Sequence, residues 1–399
     1  MRILLVHNEY AALSGEEVML RRIALLLSRH GHEVQWLRRS STEIGNSLVR
    51  KAGAFLSGIY SPAARNEMKR ILDRSQPDLV QVQNLYPLIS ASILGEIRRR
   101  GIPLVMRCAN YRLLCPNGLL MTRGRVCHRC AEGGEWWCVA KNCLGQPAKS
   151  LGYALRNYAA RRRGWFRDNV SLYIAQTRFQ KELLSKYGYE PAKIMVVANM
   201  VEPAPAAEGI GEYVGFAGRV SPEKGIDTLL AAARQLRSIP FRIAGSLHAM
   251  PGVLSDLPPN VEFCGHLGHA ELGRFYDNAR FIVLPSTCYE GLPSTVLSAM
   301  VRGRAVVASN LGGIPEVVRH GQTGLLFGPG DSVDLTRTID ALWNDQALCR
   351  QLGNAARETA LTEYSPGRYY DELMGAYGMA CGIGRETAEE PATSGFVPM

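Results

Sequence analysis

Short apolar runs alternate with amphipathic stretches along most of the chain. "RILLVHN" (2–8) precedes "GEEVMLRRIALLLSRHG" (15–31), whose apolar residues recur every three or four positions, and "HEVQWL" (32–37) follows. That period predicts a helix between two buried strands. "PDLVQVQN" (77–84) and "IPLVMRC" (102–108) are further strands, with the helical stretch "ASILGEIRRRG" (91–101) between them. "LYIAQT" (172–177), the helical "RFQKELLSKYG" (178–188) and "KIMVVAN" (193–199) continue the alternation. The segment "MVEPAPAAEGIG" (200–211) is rich in Pro, Ala and Gly, has no period, and reads as a linker. The alternation then restarts with "YVGFAG", "FRIAG", "VEFCG", "FIVLPS", "AVVAS" and "GLLF" as strands.

This pattern predicts an α/β protein of two doubly wound parallel-sheet domains facing across a cleft. The expected boundaries are 1–200 for the first domain and 201–380 for the second, with 381–399 as a disordered tail. A length of 399 residues and 46% hydrophobic content suit two globular domains. No run reaches the roughly 18 apolar residues of a membrane span. The opening "MRILLVHN" is too short for a signal peptide and reads as a strand, so a cytoplasmic protein is expected.

Charge changes the picture. Residues 1–200 hold 31 Lys and Arg against 14 Asp and Glu, whereas residues 201–399 hold 15 against 22. A basic first half points to an anionic partner: membrane lipid, nucleic acid or a phosphorylated substrate. The plainer reading is a solvated, arginine-rich surface.

In open parallel sheets, ligands sit at the carboxyl ends of strands, and three strand ends here carry suitable chemistry. "GFAGRVSPEKG" supplies Gly218, Arg219 and Lys224: glycines admit backbone N–H groups, and two cations suit a diphosphate. "CYEGLPSTVL" supplies Glu290, Gly291 and a helix start at Pro293, whose Ser294 and Thr295 amides are free for an anion. "SNLGGIPEVV" adds the pair Gly312–Gly313 before another helix. Each signal alone is also met in ordinary tight turns; their order on successive strand ends is what makes them specific.

Together, "GRVSPEKGIDTLLAA", "FIVLPSTCYEGLPSTVLSAMVRGRAVVAS" and "GGIPEVVRHGQTGLLFGPGD" resemble the donor domain of the retaining glycosyltransferase family 4. The resemblance is close over 213–331 and looser in the first half. It implies the GT-B fold and a nucleotide-diphosphate sugar donor. The acceptor it implies is a saccharide or lipid-linked saccharide, in surface or capsular polysaccharide assembly, with no cofactor needed for catalysis. Arg219 and Lys224 would hold the diphosphate, Glu290 the sugar hydroxyls, and Ser294–Thr295 would complete the phosphate cradle. Gly15 would line the donor side, and Asn110 and Tyr111 the acceptor side.

The chain departs from the family pattern at several points. A second Glu that usually grips the ribose is here Ser298. The Gly-Gly pair of the first loop is Ser14–Gly15, histidines often found in the next segment are Gln81 and Gln83, and a His before the Asn is Ala109. These departures motivate a second reading, a catalytically weak homologue that binds a partner as a scaffold. In the front-face mechanism usually proposed for the family, the leaving phosphate accepts the proton, so a side-chain base is not required.

Six of the ten cysteines fall between 108 and 143, with "CHRC" in the middle. A C-x2-C pair with thiols nearby is a zinc signal, and Cys127 and Cys130 with two of Cys115, Cys138 and Cys143 are the expected ligands. Reduced buried thiols and disulfides stay open, although the expected compartment disfavours disulfides. Some relatives carry similar insertions, and this one (about 108–145) is expected to shape the acceptor side. "KSLGYALRNYAARRRGWFRD" (149–168) and residues 48–72 are basic stretches with leucines and aromatics at helical spacing. They suit an anionic membrane surface, as peripheral association at its inner face, or plain solvated helices. Nucleic acid is not expected as a partner: no recognition fold or stacking platform is present. A zinc-dependent nucleic-acid binder would rest on charge and "CHRC" alone.

Overall fold

The computed structural model describes residues 1–11, 14–247 and 250–382. Its strands, in chain order, are β1 (Arg2–Glu9), β2 (Glu33–Ser40), β3 (Leu79–Val82), β4 (Leu104–Arg107), β5 (Met121–Thr122), β6 (Arg125–Val126), β7 (Leu172–Ala175), β8 (Ile194–Val196), β9 (Tyr213–Ala217), β10 (Phe241–Ala244), β11 (Val261–Gly265), β12 (Ala279–Leu284), β13 (Ala305–Ser309) and β14 (Gly324–Phe327). They form two six-stranded parallel sheets, ordered β2-β1-β3-β4-β7-β8 and β11-β10-β9-β12-β13-β14, and a small antiparallel hairpin, β5-β6. The central strands β3, β4, β7, β12 and β13 are buried at every residue. This is why they read as mostly apolar runs: helices cover both faces of a parallel sheet.

The first sheet packs one face against Leu72, Ile93, Leu94 and Leu184, and the other against helix Gly15–Arg29 through Leu20, Ile23 and Leu27. Ser14 caps that helix, and Glu17 completes a capping box by returning to the Ser14 amide at 2.8 Å. The second sheet is covered by helix Ile226–Gln235 on one face and by helices Ser294–Met300 and Gln346–Glu363 on the other.

The expected end of the second domain at residue 380 needs correction. Helix Pro366–Cys381 leaves the second sheet and packs on the first: Tyr369, Leu373, Ala376 and Tyr377 join Ile3, Leu5 and Ile174 in one core. The Tyr377 hydroxyl donates to Gln81 Oε1 at 2.7 Å, fixing the crossover on β3. Of the expected tail, Cys381 ends this helix, and residues 383–399 lie outside the described residues. Among the described residues no helix is long and apolar enough to cross a membrane.

Candidate active site

The cleft-facing loops follow strands that are neighbours in the sheet. Because β9 pairs with β12, the loop after β9 (218–225) and the loop after β12 (285–293) lie side by side. They are clasped together. The Thr287 amide donates to Glu223 O at 3.0 Å, and Gly225 sits at φ +72° where a Cβ would run into the Pro285 carbonyl. Only glycine combines that dihedral with so close an approach.

The clasp sets Lys224 Nζ 2.6 Å from Glu290 Oε1, which also accepts from the Ser286 hydroxyl at 2.5 Å. Burial works against both charges. Their mutual attraction outweighs it, so the Lys224 pKa is raised and the Glu290 carboxyl is held below its usual range. Beside them, burial pushes the Cys288 thiol up to about 12, keeping it a neutral thiol. Arg219 behaves differently from Lys224. Its side chain is 63% exposed and pairs with Glu223 at 3.2 Å, one loop turn from the buried pair.

Helix Ser294–Met300 starts at Pro293 with no side-chain cap. Thr295 Oγ1 donates to Ala217 O at 3.1 Å, tying the helix start to the end of β9 beside Gly218. Among the described residues the Ser294 and Thr295 amides have no protein acceptor. Across the cleft, a side chain on Gly15 would meet the Ser294 hydroxyl at 3.4 Å, so the starts of two helices, one from each domain, face each other. Ser298 lies one turn further, beside the buried Tyr276 hydroxyl.

The first domain closes on this loop. Tyr111 donates to the Glu290 carbonyl at 3.0 Å. Gln176 Oε1 accepts from the Leu292 amide at 2.8 Å, and Asn199 donates to Leu292 O at 2.9 Å. A side chain on Gly291 would strike Gln176 Oε1, so glycine here admits the opposite domain. Asn110 lies on the same wall, its Nδ2 3.4 Å from Glu16 Oε2.

Two family profiles cover the chain. One, described as glycosyl transferase 4-like domain, matches residues 14–200; the other, glycosyl transferases group 1, matches 211–345. The chain belongs to the GT-B glycosyltransferases. This glycosyltransferase is 29% identical to a glycogen synthase of Mycobacterium tuberculosis, over 50% of this chain and 51% of that protein. The match thus spans about half the length of that relative. It is 27% identical to the alpha-D-kanosaminyltransferase of Streptomyces kanamyceticus, over 73% of each chain. In fold it is similar to sucrose-phosphate synthase of Thermosynechococcus elongatus, with a TM-score of 0.72 at 17% identity, covering 96% of this chain and 100% of that one. Anabaena HepE, solved in complex with UDP and glucose, superposes with a TM-score of 0.65 at 18% identity over 95% and 99% of the two chains.

The structure thus gathers Gly15, Gly218, Lys224, Glu290, Gly291, Ser294, Thr295 and Tyr111 at the cleft of the glycosyltransferase, and leaves Arg219 at its rim. Sequence reasoning missed Ser286, Gln176 and Asn199, polar residues without a motif of their own. It also missed Glu316, whose carboxylate accepts from the amides of Arg178 and Phe179 at 2.8 and 2.7 Å and so caps helix Arg178–Lys186 of the opposite domain. The Gly312–Gly313 loop, read as a third glycine loop, packs on Tyr289, Phe179 and Thr177 at the same contact.

In the cysteine-rich insertion, the Cys115 thiol contacts that of Cys130, and Cys138 that of Cys143. All ten cysteines are free. Cys127, also in the expected ligand set, is half-buried. Among the described residues no three metal-ligating side chains are set around a common point.

Proposed function

We propose that this glycosyltransferase moves a sugar from a nucleotide-diphosphate donor to a hydroxyl of a saccharide or lipid-linked acceptor, with retention, in surface polysaccharide assembly. The observation that carries the reading is the Lys224–Glu290 pair at 2.6 Å, whose Glu290 lies on the loop leading into helix Ser294–Met300, the helix start that faces Gly15. A half-buried ammonium beside free backbone amides suits a diphosphate, and a carboxylate locked in the ionised state suits sugar hydroxyls. The named relatives and the UDP-bound HepE structure support a nucleotide-sugar donor. Donor-dependent release of a nucleoside diphosphate, screened over several nucleotide sugars, tests it; no release and no donor binding would leave the scaffold reading.

The structural zinc is likewise a proposal. Cys127 and Cys130 with two of Cys115, Cys138 and Cys143 would be its ligands, drawn together by the metal from positions that form no such cluster among the described residues. About one zinc per chain is expected in protein purified without chelator, and less in Cys130→Ser; far below one equivalent leaves reduced thiols.

A further inference from the structure

Two stretches of the first domain, 44–66 and 136–167, contain no Asp or Glu at all. They fold into adjoining helices. Helix Leu48–Ile59 packs on helix Pro147–Arg162, with the Phe55 ring filling the space a side chain on Gly152 would need. The outer side of the first helix is apolar: Leu48 and Val49 are each 82% exposed and Leu56 is 65% exposed. Arg50 and Lys51 stand beside them. The nearest ion pair, Arg39 with Glu43, leaves both without a carboxylate partner among the described residues. On the second helix Leu151 and Tyr158 are exposed near Lys149 and Arg162, and Trp136 stacks obliquely on Tyr158 at 5.7 Å.

We infer that this face docks on an anionic lipid bilayer, with Leu48, Val49 and Leu56 entering the headgroup–acyl boundary and the cations meeting lipid phosphates. Charge selects this occupant. Exposed aliphatic residues gain nothing against a nucleic-acid backbone, which is read by cations and stacking rings. A second copy of the chain would bring the same cations face to face. An anionic bilayer offers both an apolar layer and matching charge.

The face also lies where an acceptor would arrive. Helix Leu48–Ile59 follows the carboxyl end of β2, just beyond which the Ser41 hydroxyl donates to Glu9 O at 2.8 Å at the end of β1, and Gly58 packs against Pro87 after β3. So the apolar ledge borders the cleft on the first-domain side. Its use in presenting a lipid-linked acceptor rests on the proposed activity, but bilayer binding does not.

Sedimentation with vesicles separates the two. The full chain is expected to pellet with phosphatidylglycerol–phosphatidylcholine vesicles at low salt and to be released as salt rises, since exposed charges are screened beyond about 10 Å at 0.1 M. Leu48→Glu with Val49→Glu, and separately Arg50→Glu with Lys51→Glu, should each weaken binding at least tenfold with an unchanged thermal melt, because all four side chains are exposed. Equal binding to pure phosphatidylcholine, no binding at low salt, or full binding by either double variant would overturn the inference. So would self-association that the Leu48 and Val49 changes abolish without any vesicle binding. Nucleoside diphosphate release is measured apart from the vesicles, so loss of one result leaves the other standing.

Discussion

Replacing Lys224 by Met removes the only cation within salt-bridge distance of Glu290 among the described residues and leaves that carboxylate with the Ser286 hydroxyl. The two side chains are 19% and 12% exposed. Removing one partner of a fully buried pair costs about 3–5 kcal/mol; with water reaching both groups, about 1–3 kcal/mol is expected here. For a domain of this size that is a fall of about 2–10 °C in the melt of the second domain. Glu290→Gln should cost less, since an amide keeps the Ser286 hydrogen bond. The double variant Lys224→Met/Glu290→Gln should recover much of the stability lost by Lys224→Met, because no unpaired charge is left. Turnover should not recover. A cation facing charge that develops on a leaving diphosphate contributes about 10²–10³-fold to kcat. Saturating-donor assays of nucleoside diphosphate release on the three variants separate these effects. Turnover within threefold of wild type in a folded Lys224→Met would show that the pair only holds two loops together, and would remove the basis of the proposed site.

Other outcomes follow from the same geometry. Arg219→Ala, at an exposed side chain paired with Glu223, should change stability by less than about 0.5 kcal/mol and act mainly through KM. A hundredfold fall in kcat would show instead that Arg219 swings onto the donor. Because the folded Glu290 pKa lies below its usual 4.5, its contribution to stability is present above about pH 4.5 and lost as pH falls through the depressed folded value. Melts of Glu290→Gln should therefore depend less on pH than those of wild type in that acid range, and equal slopes would count against the ion pair. Glu316→Ala removes a cap worth about 0.5–2 kcal/mol from the opposite domain, so the linker at 200–211 should be cut faster by protease; an unchanged rate would mean other contacts hold the cleft shut. Ser298→Glu should tighten nucleoside diphosphate binding by about 1–3 kcal/mol in calorimetry if the ribose lies beside this helix turn. No binding by either protein would defeat the transferase reading.

The inner strands of both sheets were legible because they are short, mostly apolar runs buried along their whole length, and helix Gly15–Arg29 because its apolar stripe and capping box both lie within the chain segment. The crossover of helix Pro366–Cys381 was not legible. Its apolar face would fit either sheet, and contacts far apart in the chain decide between them: Tyr377 with Gln81, 296 residues apart, and Tyr370 with His32 at 2.8 Å. The short hairpin Met121–Val126 and the five-residue helices Arg129–Gly133 and Trp136–Ala140 are too brief to show a period. At the site, the motifs placed Lys224 and Glu290 on separate strand ends, but their contact needs β9 and β12 to be neighbours, which chain order does not reveal. Arg219 and Lys224 read alike as cations near glycines. They differ because one side chain lies outside the loop clasp and the other inside it.

The departures in the first domain gain a physical meaning once packing is seen. Ser14 caps a helix, Gln81 takes the Tyr377 hydroxyl, and Gln83 bridges Arg107 and the Glu16 carbonyl at 2.9 and 3.2 Å. These side chains serve the first domain's own structure and its crossover helix. Ala109 brings its backbone carbonyl close to Gly291, a contact that does not depend on the side chain at 109. His7, at the end of β1, is buried, its pKa is lowered by that burial, and its Nε2 lies 4.0 Å from Glu17. On the proposed reading, the departing phosphate oxygen takes the acceptor proton. The protein's part is then electrostatic: Lys224 and the facing helix starts stabilise the charge that the phosphate gains as the sugar bond breaks. A site built this way does not need the missing histidine, but it depends strongly on the Lys224 ammonium, the cation that among the described residues pairs with Glu290.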